Sequence, residues 1–241
     1  MRGTPEPTVV AMGGGGFSME PENPLLDDHI LDLARASRGR DRPRVCFMPT
    51  ASGDSPAYIA SFYTAFARRA EASHLPLFIR TLDDVEDFLL EQDVVYVGGG
   101  NTENMLAVWR IHGVDRALRA AWEAGVVMAG LSAGSLCWFE TGTTDSFGPG
   151  LAALSGGLGF VPGSHAPHYD GEANRRPVYH RLIAEGSIPA GYAADDGAAL
   201  VFRGDSLFEV VSSRSDARAY RVERGPDGAA VETALPTRYL G

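Results

Sequence analysis

The sequence predicts a three-layer α/β/α fold with a mostly parallel central sheet and a nucleophile elbow after a central strand. Three observations carry this. Short, continuously apolar runs alternate with segments of helical periodicity over the first two thirds of the chain, as strands covered on both faces require. Three glycine-bearing loops, at 13–16, 98–100 and 130–134, close such runs. In an open parallel sheet, loops at the carboxyl ends of strands gather at one ligand crevice. Finally, Gly130-Leu131-Ser132-Ala133-Gly134 stands directly behind the apolar run Val126-Val127-Met128-Ala129. This G-x-S-x-G pattern fits a sharp strand-to-helix turn that strains the serine backbone, needs small neighbours and lifts the hydroxyl above the sheet.

The elements follow in order. Thr8-Val9-Val10-Ala11-Met12 reads as the first strand. Residues 24–37 read as a helix behind Asn23 as N-cap, with Leu26, Ile30, Leu33 and Ala34 on one face. Arg44-Val45-Cys46-Phe47-Met48 is a second strand, stopped by Pro49. Residues 55–72 repeat the helical pattern through Ile59, Phe62, Phe66 and Ala70. Leu75 to Ile79 reads as an edge strand, since Pro76 removes a ladder donor. Asp84 to Leu90 is a short helix, and Asp93 to Val97 a fourth strand running into Gly98-Gly99-Gly100. Helices at 102–110 and 114–124 precede the strand that delivers Ser132. Beyond about residue 190 short strands with turns take over, at 197–202, 207–211 and 219–222. They suggest extra strands, some antiparallel, closing the same domain. No linker or repeat interrupts the pattern, so residues 1–241 are expected to form one domain.

Composition narrows the function. The chain has 241 residues, 44% of them hydrophobic, and a net charge of −10 without any basic run, which argues against a nucleic-acid partner. Its apolar stretches are strand-length, too short to span a membrane. Met1-Arg2-Gly3-Thr4-Pro5-Glu6-Pro7 carries acid and proline where a secretory leader needs basic and then apolar residues, so a cytoplasmic protein is expected. Cys46 and Cys137 fall in or beside core segments and read as buried free thiols.

A serine hydroxyl needs a base to become a nucleophile. Of six histidines, His29, His74, His112 and His180 lie in or beside predicted helices. His165 and His168 lie in the irregular segment Gly163-Ser164-His165-Ala166-Pro167-His168-Tyr169. The His-x-x-His spacing has no third partner suited to a metal, and no cofactor is expected. Gly13 to Gly16 lacks the third glycine of a dinucleotide fingerprint and any Walker lysine. Close backbone approach or turn geometry is its better reading. Candidates for the acid that orients the base are Asp145, Asp170, Glu172, Asp195 and Asp196.

Several of these pieces occur together in family order. They are Val97-Gly98-Gly99-Gly100-Asn101-Thr102, the serine elbow, Thr143-Thr144-Asp145, Ala166-Pro167-His168, Gly171-Glu172 with Arg175 and Arg176, and Asp196-Gly197. On them the chain resembles the peptidase E (aspartyl dipeptidase) family of serine peptidases, relatives of cyanophycinase. The fold of that family is similar to class I glutamine amidotransferases and is flavodoxin-like. The resemblance covers roughly residues 8–210. It implies Ser132 as nucleophile, His168 as general base, and the Gly100 and Ala133 N–H groups as an oxyanion hole. The triad acid is Asp196, standing where the family has glutamate, or Asp145.

The implied reaction is hydrolysis of short peptides through an acyl-enzyme, and the implied assembly is a homodimer. Arg175 or Arg176 would pair with an N-terminal aspartate of the substrate. Asn101 and Glu103 would stand at the rim of the substrate site, where an inward-facing Glu103 would repel such an aspartate. Two rivals remain. An α/β-hydrolase esterase would use Ser132, Asp145 and His168 in that chain order. A catalytically silent binding protein would keep the fold without turnover. Amidotransferase chemistry needs a cysteine at the elbow, and the residue there is Ser132.

Overall fold

Side chains of Thr8–Met12 alternate across a sheet, with Val9 and Ala11 in one buried cluster and Val10 and Met12 in another. This period of two repeats in Val94–Val97, where Val95 and Val97 face one way and Val94 and Tyr96 the other. A computed structural model describes residues 6–241; the first five, which bear on the leader expectation, lie outside the described residues. The elements in chain order are β1 (Thr8–Met12), α1 (Gly16–Met19), α2 (Leu25–Arg38), β2 (Arg44–Met48), α3 (Pro56–Phe66) and β3 (Glu71–His74). Next come α4 (Val85–Leu90), β4 (Val94–Val97), α5 (Thr102–His112), α6 (Val114–Glu123), β5 (Val127–Leu131) and α7 (Ala133–Leu136). Then follow β6 (Phe139–Thr144), β7 (Ala152–Ala153), β8 (Val161–Ala166), α8 (Arg175–Ala184) and β9 (Gly191–Ala194). The chain closes with β10 (Ala198–Arg203), β11 (Ser206–Ser212), β12 (Ala219–Arg224), β13 (Ala230–Ala234) and β14 (Arg238–Tyr239).

The larger sheet runs β14-β11-β10-β1-β5-β4-β2-β3. Its β1, β5, β4, β2 and β3 are mutually parallel, and β10 joins β1 antiparallel. Leu26, Ile30 and Ala34 of α2, with Phe62 and Phe66 of α3, cover one face. Val85 and Leu89 of α4, Leu106 and Trp109 of α5, and Leu118 of α6 cover the other. The predicted layered α/β fold with helices on both sides is therefore observed. Burying a residue such as Phe62 or Leu106 contributes about 1.5–3 kcal/mol, so these faces supply much of the driving force.

The structure departs from the sequence reading in several places. A second sheet, β13-β12-β9-β8-β6-β7, packs beside the first. Its β8 overlaps the segment read as irregular, and its β6 was not read as a strand. Their glycines and polar residues hide the strand signal, and register shifts interrupt their pairing. His165 thus lies in a strand, whereas His168 is in the loop beyond it. The edge strand is Glu71–His74, not 75–79: α3 stops at Phe66, and the Leu77 and Phe78 N–H groups turn away to the Asp54 carboxylate at 2.7 and 2.9 Å. His74 accordingly ends a strand. Asn23 does not cap α2; its amide donates to the Ser213 carbonyl at 3.0 Å, and Pro24 holds the cap position.

Candidate active site

The strand β5 ends at Leu131, and the chain reverses into α7 within one residue. Ser132 takes that turn at φ 55°, ψ −118°, a region that costs an L-residue roughly 1–3 kcal/mol. The small neighbours have a steric reason. A Cβ on Gly130 would run into the Gly134 carbonyl, and one on Gly134 into the Val97 carbonyl of β4. Ser132 donates its N–H to the Met12 carbonyl at 3.4 Å, while its own carbonyl accepts from Ser135 and Leu136. Among the described residues, the Ala133 and Gly100 N–H groups donate to no protein acceptor.

The three glycine-bearing loops converge as expected. Gly99 lies against Ser132, and the Gly99 N–H donates to the Tyr58 hydroxyl at 3.2 Å. The loop after β1 holds the rest of the site. His168 donates its N–H to the Gly13 carbonyl at 3.2 Å, and Gly197 donates to the Gly14 carbonyl at 3.1 Å. A Cβ on Gly14 would overlap the Asp196 carboxylate, as would one on Gly171. Gly13 to Gly16 is therefore a surface of close approach for the loops that carry His168 and Asp196.

His168, like Ser132, has a positive φ, 52°. Its Nδ1 lies 2.6 Å from Asp196 Oδ1, with both side chains mostly buried. The Asp196 N–H in turn donates to Asp170 Oδ1 at 2.7 Å. Ser132 and His168 line one cavity of about 390 Å³. His165 has another role. Its Nε2 and Nδ1 meet Ser135 Oγ and the Tyr192 carbonyl, both at 3.1 Å, and its ring stacks on Phe139. Burial pushes its pKa down to about 3, leaving a neutral core imidazole.

Asp145 does not reach His168. It lines a second cavity, about 310 Å³, together with Gly100, Asn101, Ser132, Glu172 and Arg175. The two arginines separate there. Arg175 is 3% exposed, donates to the Thr143 carbonyl at 2.7 Å and pairs with Glu172 at 2.7 Å. Arg176 points elsewhere, stacked over Tyr169 and Tyr220 and paired with Glu232 at 3.4 Å. Glu103 also turns aside, accepting from the Ser155 N–H and hydroxyl at 2.7 and 2.6 Å. Asn101 caps α5 by accepting from the Asn104 N–H at 2.9 Å and binds the Ser146 carbonyl through its amide at 3.1 Å. It thereby ties the Asp145 loop to the helix.

Sequence reasoning missed the aromatic wall facing Ser132. Tyr58 belongs to it, held by ring contacts to Phe47 and Phe17 with centroids 5.0 and 5.6 Å away. A signal was present in the clustering of Tyr58, Phe62 and Phe66 on one helix beside a glycine-rich loop. Both thiols are buried, and burial raises the pKa of each, that of Cys46 to about 12. Cys137 follows a helix of only four residues.

Residues 9–210 match the model of peptidase family S51. A relative from Bacillus subtilis (strain 168), described as the uncharacterized peptidase YgaJ, is 55% identical over 234 residues, 97% of this chain and 99% of that protein. Among solved structures, a peptidase from an acI-B1 actinobacterium superposes with a TM-score of 0.68 at 18% identity, covering 98% of this chain and 96% of that one. A putative peptidase E protein from Listeria monocytogenes EGD-e gives 0.60 at 18% identity, covering 84% and 97%. At that identity the two structures speak for the fold alone.

Proposed function

The chain belongs to peptidase family S51, and on that premise we propose that it is a serine-type peptidase hydrolysing short peptides through an acyl-enzyme on Ser132. The observation that carries this reading is the bond from His168 Nδ1 to Asp196, made by a histidine that shares a cavity with Ser132. Asp196 fixes the tautomer that leaves His168 Nε2 free to accept the serine proton. Ser132 Oγ attacks the peptide carbonyl, and the developing oxyanion takes the Gly100 and Ala133 N–H groups. His168 then gives its proton to the leaving amine. Water, deprotonated by the same imidazole, releases the acyl group.

The chain order Ser132, His168, Asp196 differs from the serine, acid, histidine order of α/β-hydrolases, which weighs against the esterase reading. Arg175 is the arginine placed for substrate, but Glu172 and Asp145 offset its charge. We therefore read the specificity as not restricted to Asp-Xaa.

A fluorophosphonate is expected to label Ser132 stoichiometrically, as located by peptide mass mapping. Ser132→Ala should lose both the label and at least roughly 10³-fold in kcat on the best substrate of a peptide panel. Labelling elsewhere, or unchanged turnover in the variant, overturns the reading.

A further inference from the structure

The cleft continues past the nucleophile on both sides. Four cavities lie in a row, each sharing lining residues with the next. Asp145 and Glu172 join the first to the second, Ser132 the second to the third, and Ser18 and Ser61 the third to the fourth. Their volumes are about 580, 310, 390 and 440 Å³. Ser132 thus stands midway along a trough.

The direction of the peptide follows from the chemistry. His168 must face the leaving amine to protonate it, and His168 lines the third cavity, whereas Gly100 lines the second. The acyl side therefore lies toward Arg175, and the leaving side toward Tyr58. Apart from His168, the third cavity is walled by Met19, Tyr58, Leu131 and small or hydroxyl residues, with no arginine or lysine. The fourth holds a single charged side chain, the carboxylate Glu22.

A dipeptide would bring its free carboxylate into the third cavity, whose lining offers it no arginine or lysine to pair with. A peptide that continues carries only neutral amides through that space and places its terminal charge farther out. The Tyr58 wall favours an apolar side chain directly after the scissile bond.

Resting on the serine-peptidase reading, we propose that the substrate is an oligopeptide continuing at least two residues beyond the scissile bond, with an apolar side chain at the first of them. The test compares kcat/KM for Ala-Leu, Ala-Leu-Ala, Ala-Leu-Ala-Ala, Ala-Lys-Ala-Ala and Ala-Leu-amide, with products identified by mass spectrometry. The expected result is a rise of roughly tenfold or more from Ala-Leu to Ala-Leu-Ala-Ala, since distant binding contacts are realised in the transition state. Ala-Leu-amide should exceed Ala-Leu, and lysine should lower the rate. Ser61→Arg, which adds a cation beside the third cavity, should raise Ala-Leu turnover relative to Ala-Leu-amide.

Dipeptide hydrolysis equal to that of the tetrapeptide, or a Ser61→Arg variant without that shift, overturns the proposal. A protein labelled at Ser132 that cuts nothing longer than a dipeptide overturns the proposal alone. Absence of both label and cleavage overturns the underlying reading, and the proposal with it.

Discussion

Asp196 has one methylene fewer than the glutamate that the family resemblance carries at this position, yet its carboxylate meets His168 at 2.6 Å. The reach is recovered by the backbone. Gly14 and Gly171 leave space on two sides of the carboxylate, and the Gly14–Asp196 bridge draws the loop inward. Asp145, by contrast, sits with Glu172 and Arg175. Asp196→Asn is therefore expected to lower kcat by roughly 10³-fold or more, because an amide no longer stabilises the imidazolium. Asp145→Asn should stay within roughly tenfold. Comparing kcat of the two purified variants checks this, and equal losses would contradict the assignment. At this scale Ser132 was plain in the sequence, because a strained elbow needs small residues on both sides of it. The carboxylate bonded to His168 was not, because Asp145 and Asp196 differ only in where a loop places them, which depends on glycines far away in sequence.

Among the elements, β1 does the most for the site although it carries no reacting group. It pairs with β5, which ends just before Ser132, and with β10, which begins just after Asp196. Its glycine-rich exit loop receives the His168 N–H and the Gly197 N–H. Gly14→Ala places a methyl group in the Asp196 carboxylate and is expected to cut kcat by roughly 10²-fold or more while KM changes little. A kcat/KM measurement alongside a thermal melt separates this from a general loss of fold. Apart from the edge strands β3 and β14, the strands of the larger sheet and the helices on its faces were legible, because continuous apolar runs and helical periodicity were intact there. Of the second sheet only β12 was, read at 219–222. Strands such as β6, Phe139–Thr144, and β8, Val161–Ala166, carry glycine, proline and hydroxyl residues at positions that only tertiary burial makes strand-like.

Across the whole molecule, two buried ionisable groups set opposing responses to acid. Asp27, at the start of α2, is 2% exposed and accepts from the Tyr96 hydroxyl at 3.1 Å; burial pushes its pKa up to about 7 from 3.8. Its raised value means that the folded state keeps a proton the unfolded chain has released. Its contribution is complete below about pH 4 and is lost as pH rises through 7. His165, lowered to about 3 from 6.5, acts in reverse and withdraws stability as pH falls below 6.5. The two slopes offset one another between about pH 4 and 6.5. Asp27→Asn removes one of them. Relative to the parent, this variant should gain on the order of 3–4 kcal/mol between pH 4 and pH 8, read from urea unfolding midpoints. A difference that does not change with pH would refute this account.

The pairing of β1 with β10 also has a consequence for synthesis. A growing chain that has emerged from the ribosome through α8 already carries Ser132 and His168. It still lacks Asp196, the carboxylate bonded to the His168 imidazole, and the ladder that braces the first strand from its far side. On the proposed triad, such a nascent polypeptide is not yet competent, and competence is expected only when the last fifth of translation is under way.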